Sequence, residues 1–438
     1  MKPYPAYKPS GVEWIGEIPE HWEVKKLKHF SKIVLGKMLT PQDKGNFSKK
    51  PYLRAQNVLW EKVDATDIKE MWFSENELIQ FRLNVKDLLV CEGGEVGRTA
   101  IWKNELEECY IQNSVHKVTL IENYDPVYFL YCFLLYGQLG HFDAIVNKVS
   151  IGHLTREKLK EIYCMAPTSL EQQSIAAFLD RKTHRIDTLI EKEQRQIERL
   201  KEQRSAVINQ AVTKGLDPDV QMKDSGIEWL EEKPEHWEVK KLKMVLTEKL
   251  KYGANESAEL DDENLPRYIR ITDFDDMGKL RTETFKSLPY DIAKEYLLKN
   301  GDVLFARSGA TVGKTFQFKN YDGEACFAGY LIKATVDEEI IISDYLYYYT
   351  KTNSYENWKD SIFIKATIQN ISADKYSILD LPIPPVSEQQ SITTFLDRKT
   401  NQIDILIEKK HRQIGIFKEY RTALISEAVT GKINVRSQ

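Results

Sequence analysis

The sequence predicts a duplicated α/β (α+β) protein. Two globular domains are joined by two long antiparallel coiled-coil helices, with a pseudo-twofold axis relating the halves. Three observations carry this. Residues 11–28 read GVEWIGEIPEHWEVKKLK, and residues 226–243 read GIEWLEEKPEHWEVKKLK. EQQSIAAFLDRKT, beginning at 171, returns as EQQSITTFLDRKT, beginning at 388. The offsets, 226 − 11 = 215 and 388 − 171 = 217, are far longer than a solenoid repeat, so a whole domain is duplicated. The stretches between these blocks, 29–165 and 244–382, hardly match. Constant blocks alternating with variable ones predict two different heads on one frame. The expected divisions are a first domain over 1–165, a spacer helix over 166–215, a second domain over 216–382 and a second helix over 383–438.

Each head carries the same faint skeleton. Pro51 to Asn57 parallels Arg267 to Asp273, Asp87 to Arg98 parallels Asp302 to Lys314, and Lys148 to Leu154 parallels Lys365 to Ile371. β-rich runs such as 110–121 and short aromatic helices such as 126–139 and 344–350 make each head mixed α/β. Asp125-Pro126 reads as a helix N-cap with proline at the first turn. A strand that ends in a Gly-rich turn and then Arg98 or Lys314 exposes backbone N–H groups beside a cation. That suits a phosphate, although a plain hairpin turn has the same look.

Polar tips stand where the two heads differ. Gln56 and Asn57 face Thr272 and Asp273 in the comparison, and Ser150 and His153 face Thr367 and Asn370. Amide, hydroxyl and guanidinium groups are the types that read base edges. The candidate DNA-contacting set in the first head is therefore Arg54, Gln56, Asn57, Arg98, Lys148, Ser150 and His153. In the second head it is Arg270, Thr272, Asp273, Arg307, Ser308, Lys314, Lys365, Thr367 and Asn370.

The constant helices show an apolar stripe at spacings of about three, four or seven. It runs through Leu179, Ile186, Ile190, Ile197 and Leu200, and again through Leu396, Ile403, Ile407, Ile414 and Phe417. Mixed charges flank it, which is the pattern of a coiled-coil seam. At about 1.5 Å per residue each helix runs roughly 60–65 Å. A helix this long needs a partner for its stripe, and the other copy is the obvious one.

Composition narrows the function. With a net charge of −4, bulk charge does not coat nucleic acid, though local basic loops remain open. The five cysteines form no CxxC and no zinc spacing, so buried thiols are expected. No secretion signal or membrane span is visible, and a cytoplasmic location is expected. Gly309 to Thr315 has three residues between its glycines where a P-loop needs four. His21 and His236, in the repeated Pro-Glu-His-Trp, read as parts of a packed structural motif.

Together these features resemble the specificity subunit of type I restriction-modification systems. Trp14 to Trp22 with its copy Trp229 to Trp237, Asn300 to Lys314, and the two Glu-Gln-Gln-Ser-Ile helices carry the resemblance, which covers essentially the whole chain. The first head departs from it at Glu92, where the second has Arg307. The resemblance implies a subunit without catalytic activity or cofactor of its own. Its two target recognition domains would each read one half of a bipartite asymmetric site in double-stranded DNA. The helices would set the spacer and dock two modification subunits, which use S-adenosylmethionine to methylate adenine at N6. Restriction subunits using ATP and Mg²⁺ would complete the endonuclease. Two heads on one duplex face want centres about one turn, roughly 34 Å, apart, within reach of such a spacer.

Overall fold

The computed structural model describes residues 3–146, 152–275, 278–309, 311–363 and 370–436. The chain parts into two compact units, one of 1–194 with 411–438 and one of 195–410. Each unit is a mixed α/β body built on the same plan.

In unit 1 the central sheet holds β1 (Ser31–Leu35), β2 (Leu88–Cys91), β3 (Thr99–Ile101) and β4 (Val115–Leu120), in the order β1-β4-β2-β3, all antiparallel. Alternation places successive residues on opposite faces. Leu88 and Val90 enter one core with Val118, whereas Leu89 and Cys91 enter a second core with Val115. The first core is closed by helix α1 (Pro126–Gln138) and the second by a three-stranded sheet over Ser48–Leu53, Lys69–Phe73 and Tyr110–Ile111. A sheet covered on both sides explains why β2 is buried throughout. The Asp125 carboxylate accepts from the N–H groups of Val127 and Tyr128 at 2.8 and 3.1 Å, and Pro126 occupies the first turn as expected.

A long helix, α2 (Ser169–Lys214), begins in unit 1 and ends in unit 2. Unit 2 repeats the sheet with β5 (Lys251–Tyr252), β6 (Val303–Ala306), β7 (Thr315–Gln317) and β8 (Leu331–Ala334), in the order β5-β8-β6-β7. It is covered by α3 (Ser343–Tyr349) and α4 (Asn353–Phe363). The second long helix is α5 (Val386–Val429).

Buried polar groups explain much of what the two copies share. Just before β2 and β6, Asp87 and Asp302 are buried, and each accepts from a threonine hydroxyl, Thr119 at 2.5 Å and Thr335 at 2.6 Å. The opposite oxygen accepts a backbone N–H, from Asn84 at 2.8 Å or Lys299 at 2.7 Å. The repeated Glu-Gln-Gln is a set of staples. Glu171 takes His21 Nε2 at 2.9 Å, and Glu388 takes His236 Nε2 at 2.8 Å. Gln172 accepts from Asp125 N and donates to Pro167 O, and Gln389 does the same with Ile342 N and Pro384 O. Farther along, Tyr131 reaches Asp180 and Thr183, and Tyr348 reaches Asp397 and Thr400. The Pro-Glu-His-Trp histidines are thus structural.

Along the long helices Leu179, Ile186, Ile197, Leu396, Ile403, Ile407 and Ile414 are buried, and Ile190, Leu200 and Phe417 are partly so. Within unit 1, Arg421 bridges to Asp187 at 2.9 Å, and within unit 2, Arg204 bridges to Asp404 at 2.9 Å. All five cysteines are free and buried. Among the described residues no helix is long and apolar enough to cross a membrane.

Candidate nucleic-acid interface

In an antiparallel sheet ordered β1-β4-β2-β3, the ends of β1 and β2 and the starts of β3 and β4 share one edge. Loops meet there in unit 1. Gly36 follows β1 so closely that a Cβ would stand 2.3 Å from Gln112 O, and only glycine permits that approach. Asn113 N then donates to Lys37 O at 2.9 Å, Glu92 N to Ser114 O at 3.0 Å, and Leu154 N to Glu92 O at 2.8 Å. Four segments, around 36–40, 92–98, 112–114 and 152–154, are tied into one rim.

Unit 2 has the same wiring. A Cβ at Gly253 would stand 2.2 Å from Phe327 O. Gly329 N donates to Ala254 O at 2.6 Å, Arg307 N to Tyr330 O at 3.0 Å, and Ile371 N to Arg307 O at 2.9 Å. The frame is constant and its tips are not. In unit 1 the rim shows Met38 and Leu39, 74% and 49% exposed, with Glu92, Glu95 and an exposed His153. In unit 2 it shows Tyr252 and Tyr330, 40% and 64% exposed, with Arg307 lying 4.7 Å over the Tyr252 ring.

The residues expected to touch DNA divide. Gln56 and Thr272 are exposed on equivalent one-turn 3-10 helices, and Lys314 is exposed as well. Arg307, Ser308 and Asn370 meet where Ser308 bridges Asn370. The Asn370 Oδ1 is buried without a hydrogen bond among the described residues. Lys148, Ser150, Lys365 and Thr367 lie outside the described residues.

Two expectations are corrected. Asn57 is buried, its Oδ1 accepting from Arg54 N at 3.0 Å and its Nδ2 donating to Asp64 O and Asp67 O at 3.0 and 3.1 Å. Asp273 is buried and accepts from Arg270 at its backbone N, Nε and Nη2. Neither side chain is available to a base edge, because each fixes the turn that follows its strand. Arg54 and Arg270 belong to the same staples, held by Asp67 and by Asp273 with Thr284 O. Arg98 turns inward, donating to Ala55 O at 2.7 Å and to Glu95 at 3.3 Å, so its turn is a hairpin closed by its own cation. Burial raises the Glu92 carboxyl above its ordinary range, and nearby His153 opposes the rise.

Met38, Leu39, Tyr252 and Tyr330 escaped the sequence reading. Their one signal there was bulky apolar or aromatic residues beside a glycine without strand periodicity. Among the described residues no group of three or more His, Cys, Asp or Glu could hold a metal.

Two copies of one loop frame with different tips define a two-headed recognition protein. The model of the type I restriction modification DNA specificity domain matches residues 19–199 and 234–414, one match in each copy, and the chain belongs to that family. It is 24% identical over 433 residues to the type I restriction enzyme MjaVIII specificity subunit of Methanocaldococcus jannaschii, covering 96% of this chain and 95% of the relative. It is 29% identical over 179 residues to the EcoKI specificity subunit of Escherichia coli K12, covering 40% of this chain and 38% of the relative. In fold it is similar to a chain solved in work on complex assembly and conformational transition of the type I R-M system, with TM-score 0.72 and 15% identity, over 95% of this chain and 99% of that one. The HsdS subunit from Thermoanaerobacter tengcongensis gives TM-score 0.50 at 14% identity, over 95% and 98%.

Proposed function

We propose that each head reads one half of a bipartite, asymmetric site in double-stranded DNA through its strand-end rim. The observation that carries this is one backbone wiring repeated with different tips. A fixed frame with exchanged side chains is what two different half-sites require. The recognition domains are 1–165 and 216–382, and 166–215 and 383–438 are the spacer helices. Gln56, His153, Thr272, Arg307, Ser308, Lys314 and Asn370 are the described side chains proposed to contact DNA, with Lys148, Ser150, Lys365 and Thr367 alongside them in sequence.

The long helices pair antiparallel and act as a ruler. Support comes from their ion pairs: Asp187 with Arg421 and Arg204 with Asp404. A step of 17 along one helix (204 − 187) is a step of 17 back along the other (421 − 404). The two pairs are also copies of each other, 217 residues apart (404 − 187 and 421 − 204), as a pseudo-twofold axis demands. Helix α2, with 46 residues, spans about 69 Å.

The chain itself performs no chemistry and needs no cofactor. It docks two modification subunits, which bring S-adenosylmethionine and methylate adenine at N6, and restriction subunits, which bring ATP and Mg²⁺. The target base must be flipped out of the duplex, and the pocket for it lies in the modification subunit. The assembly works in the cytoplasm.

The test is a map of N6-methyladenine in DNA from cells expressing this chain with its modification subunit. A two-part asymmetric motif with a fixed gap, absent without this chain, is the expected result. Replacing 29–165 by another head should change one half of that motif. A change in both halves would reject the modular reading.

A further inference from the structure

Arg421 and Arg204 are equivalent positions on the long helices, but their surroundings differ. In unit 1, Arg421 Nε donates to Asp187 at 2.9 Å, and Nη2 donates to both oxygens of Glu61 at 2.7 Å. Glu61 sits at a hairpin tip closed by the Val58–Val63 bridge, in the left-handed region at φ +67°. In unit 2 the matching hairpin is closed by the Phe274–Leu280 bridge. Among its described residues Gly278 takes the left-handed conformation, φ +77°. Gly278 brings no side chain, the carboxylate of this hairpin that reaches the space near Arg204 is Asp275, and Arg204 holds Asp404 at 2.9 Å.

A second exchange lies beside the first. Lys351 stands where unit 1 has the buried Leu134 (351 − 134 = 217). Its Nζ donates to Thr315 O at 2.8 Å and Thr315 Oγ1 at 2.9 Å, and lies 4.5 Å over the Tyr347 ring. All three partners are neutral. A cavity of about 540 Å³ opens between these groups. Arg204, Arg281, Lys314 and Lys351 line it, against the carboxylates of Asp275 and Glu356.

We propose that this cavity is an oxyanion site, in which unit 2 takes a phosphate group from outside where unit 1 supplies Glu61. A guanidinium carries five donors, and Arg204 has donors beyond the Nε that holds Asp404. The Lys351 ammonium hydrogen-bonds to neutral Thr315 and has Arg204 and Lys314 near it against Glu356, so it gains from an anion in this partly enclosed space. The volume lies within the range of small-molecule sites and exceeds one phosphate, so the group can carry a sugar or base with it. Two sources share this chemistry. One is a phosphate of DNA lying on the Gly-rich turn, because Thr311 and Lys314 belong to both the turn and the cavity wall. The other is a free phosphate-bearing small molecule. The site does not depend on which side chains read bases.

Lys351 gives the site a pH signature. Burial, then Arg204 on α2, hold its amine down to about 7; Glu356 on α4 opposes this, and Lys314 on the turn adds to it. An anion in the cavity favours the charged amine. Binding should therefore take up a proton near neutrality and weaken as pH rises.

The test uses the full-length chain assembled with its modification subunits, titrated calorimetrically with sulfate, a phosphate mimic whose charge is constant between pH 6 and 8. Saturable binding with proton uptake, about tenfold weaker at pH 8 and in Lys351→Leu, is expected. The pH comparison needs no variant, so a misfolded mutant leaves the test intact. Sulfate competing with duplex DNA, with the salt slope of DNA binding about one lower in Lys351→Leu, assigns the site to a DNA phosphate. Sulfate and DNA bound together, with the slope unchanged, assigns it to a free ligand. No saturable sulfate binding, or binding indifferent to both pH and Lys351→Leu, overturns the proposal. The methylation map is unaffected by that failure.

Discussion

The two heads share a backbone and disagree in what they bury. In β4 of unit 1, His116 is wholly buried, its Nε2 donating to Leu154 O at 2.6 Å. In β8 of unit 2 the equivalent residue is the apolar Ile332. Unit 1 holds Arg421 between two carboxylates, and unit 2 holds Arg204 on one. Unit 1 tips its rim with Met38 and Leu39, and unit 2 with tyrosines and Arg307. The lesson is that the frame fixes backbone hydrogen bonds and leaves side-chain charge free to diverge, within the core as well as on the rim. Each divergence gives one head a behaviour the other lacks.

The helix ion pairs should separate the heads first. Arg421→Ala removes a 14% exposed guanidinium from two carboxylates, Glu61 and Asp187, that are themselves 34% and 45% exposed. Solvent screens both carboxylates in part, so the loss should be about 2 kcal/mol. Arg204→Ala leaves one carboxylate at a site 27% exposed and should cost about 1 kcal/mol. Calorimetry of the two variants checks the order. Equal losses would mean that Glu61 adds nothing.

Acid should separate the heads next. Burial pushes His116 down to about 4 from its ordinary 6.5, with its bond to Leu154 O opposing. Between those values the unfolded chain binds the proton and the folded chain does not. The stability is thus fully present above about pH 6.5 and is lost as pH falls toward 4, by about 3 kcal/mol in all. His116→Ile, which copies unit 2, should remove this loss from unit 1. Unfolding followed from pH 7 to 4 measures it, and an unchanged acid slope in the variant would show that other groups carry it.

How much of this was legible in the sequence depends on what each residue does. The duplication, the long helices and the structural role of His21 and His236 could be read because repetition and periodicity are one-dimensional signals. Gln56 and Asn57 could not be told apart, since the same amide that reads adenine also caps a turn. One is exposed and the other buried, and only the fold decides which. Lys351 gave no signal, because its meaning lies in a comparison with Leu134 that needs the two heads aligned in space. Met38 and Tyr330 were missed because an exposed apolar residue and a core residue look alike in a string of letters.

That ambiguity gives a paired prediction. Asn57→Ala removes three internal hydrogen bonds and leaves Arg54 N and Asp64 O without these partners, while Asp67 O keeps Arg54 Nη2, so unit 1 should lose about 2 kcal/mol. The methylated motif should stay the same. Gln56→Ala should leave thermal stability within about 0.5 kcal/mol and weaken discrimination at one base pair by about 1–3 kcal/mol. Melting curves and methylation maps of both variants decide. A changed motif in Asn57→Ala would restore it to the reading surface.

The smallest effect concerns the two cations after the Gly-rich turns. Arg98 is bound to Ala55 O and Glu95 and is 18% exposed, while Lys314 is exposed on the turn. A side chain that neutralises a DNA phosphate releases about one counterion, and its loss lowers the salt slope by about one. One that closes its own hairpin releases none. Lys314→Ala in the assembled complex should therefore bind DNA more weakly at all sequences, with the slope reduced by about one. Arg98→Ala should lose stability in unit 1 and keep the slope. If both slopes fall alike, DNA binding must pull Arg98 out of its hairpin, and the two turns are equivalent in the complex despite their different partners in the free chain.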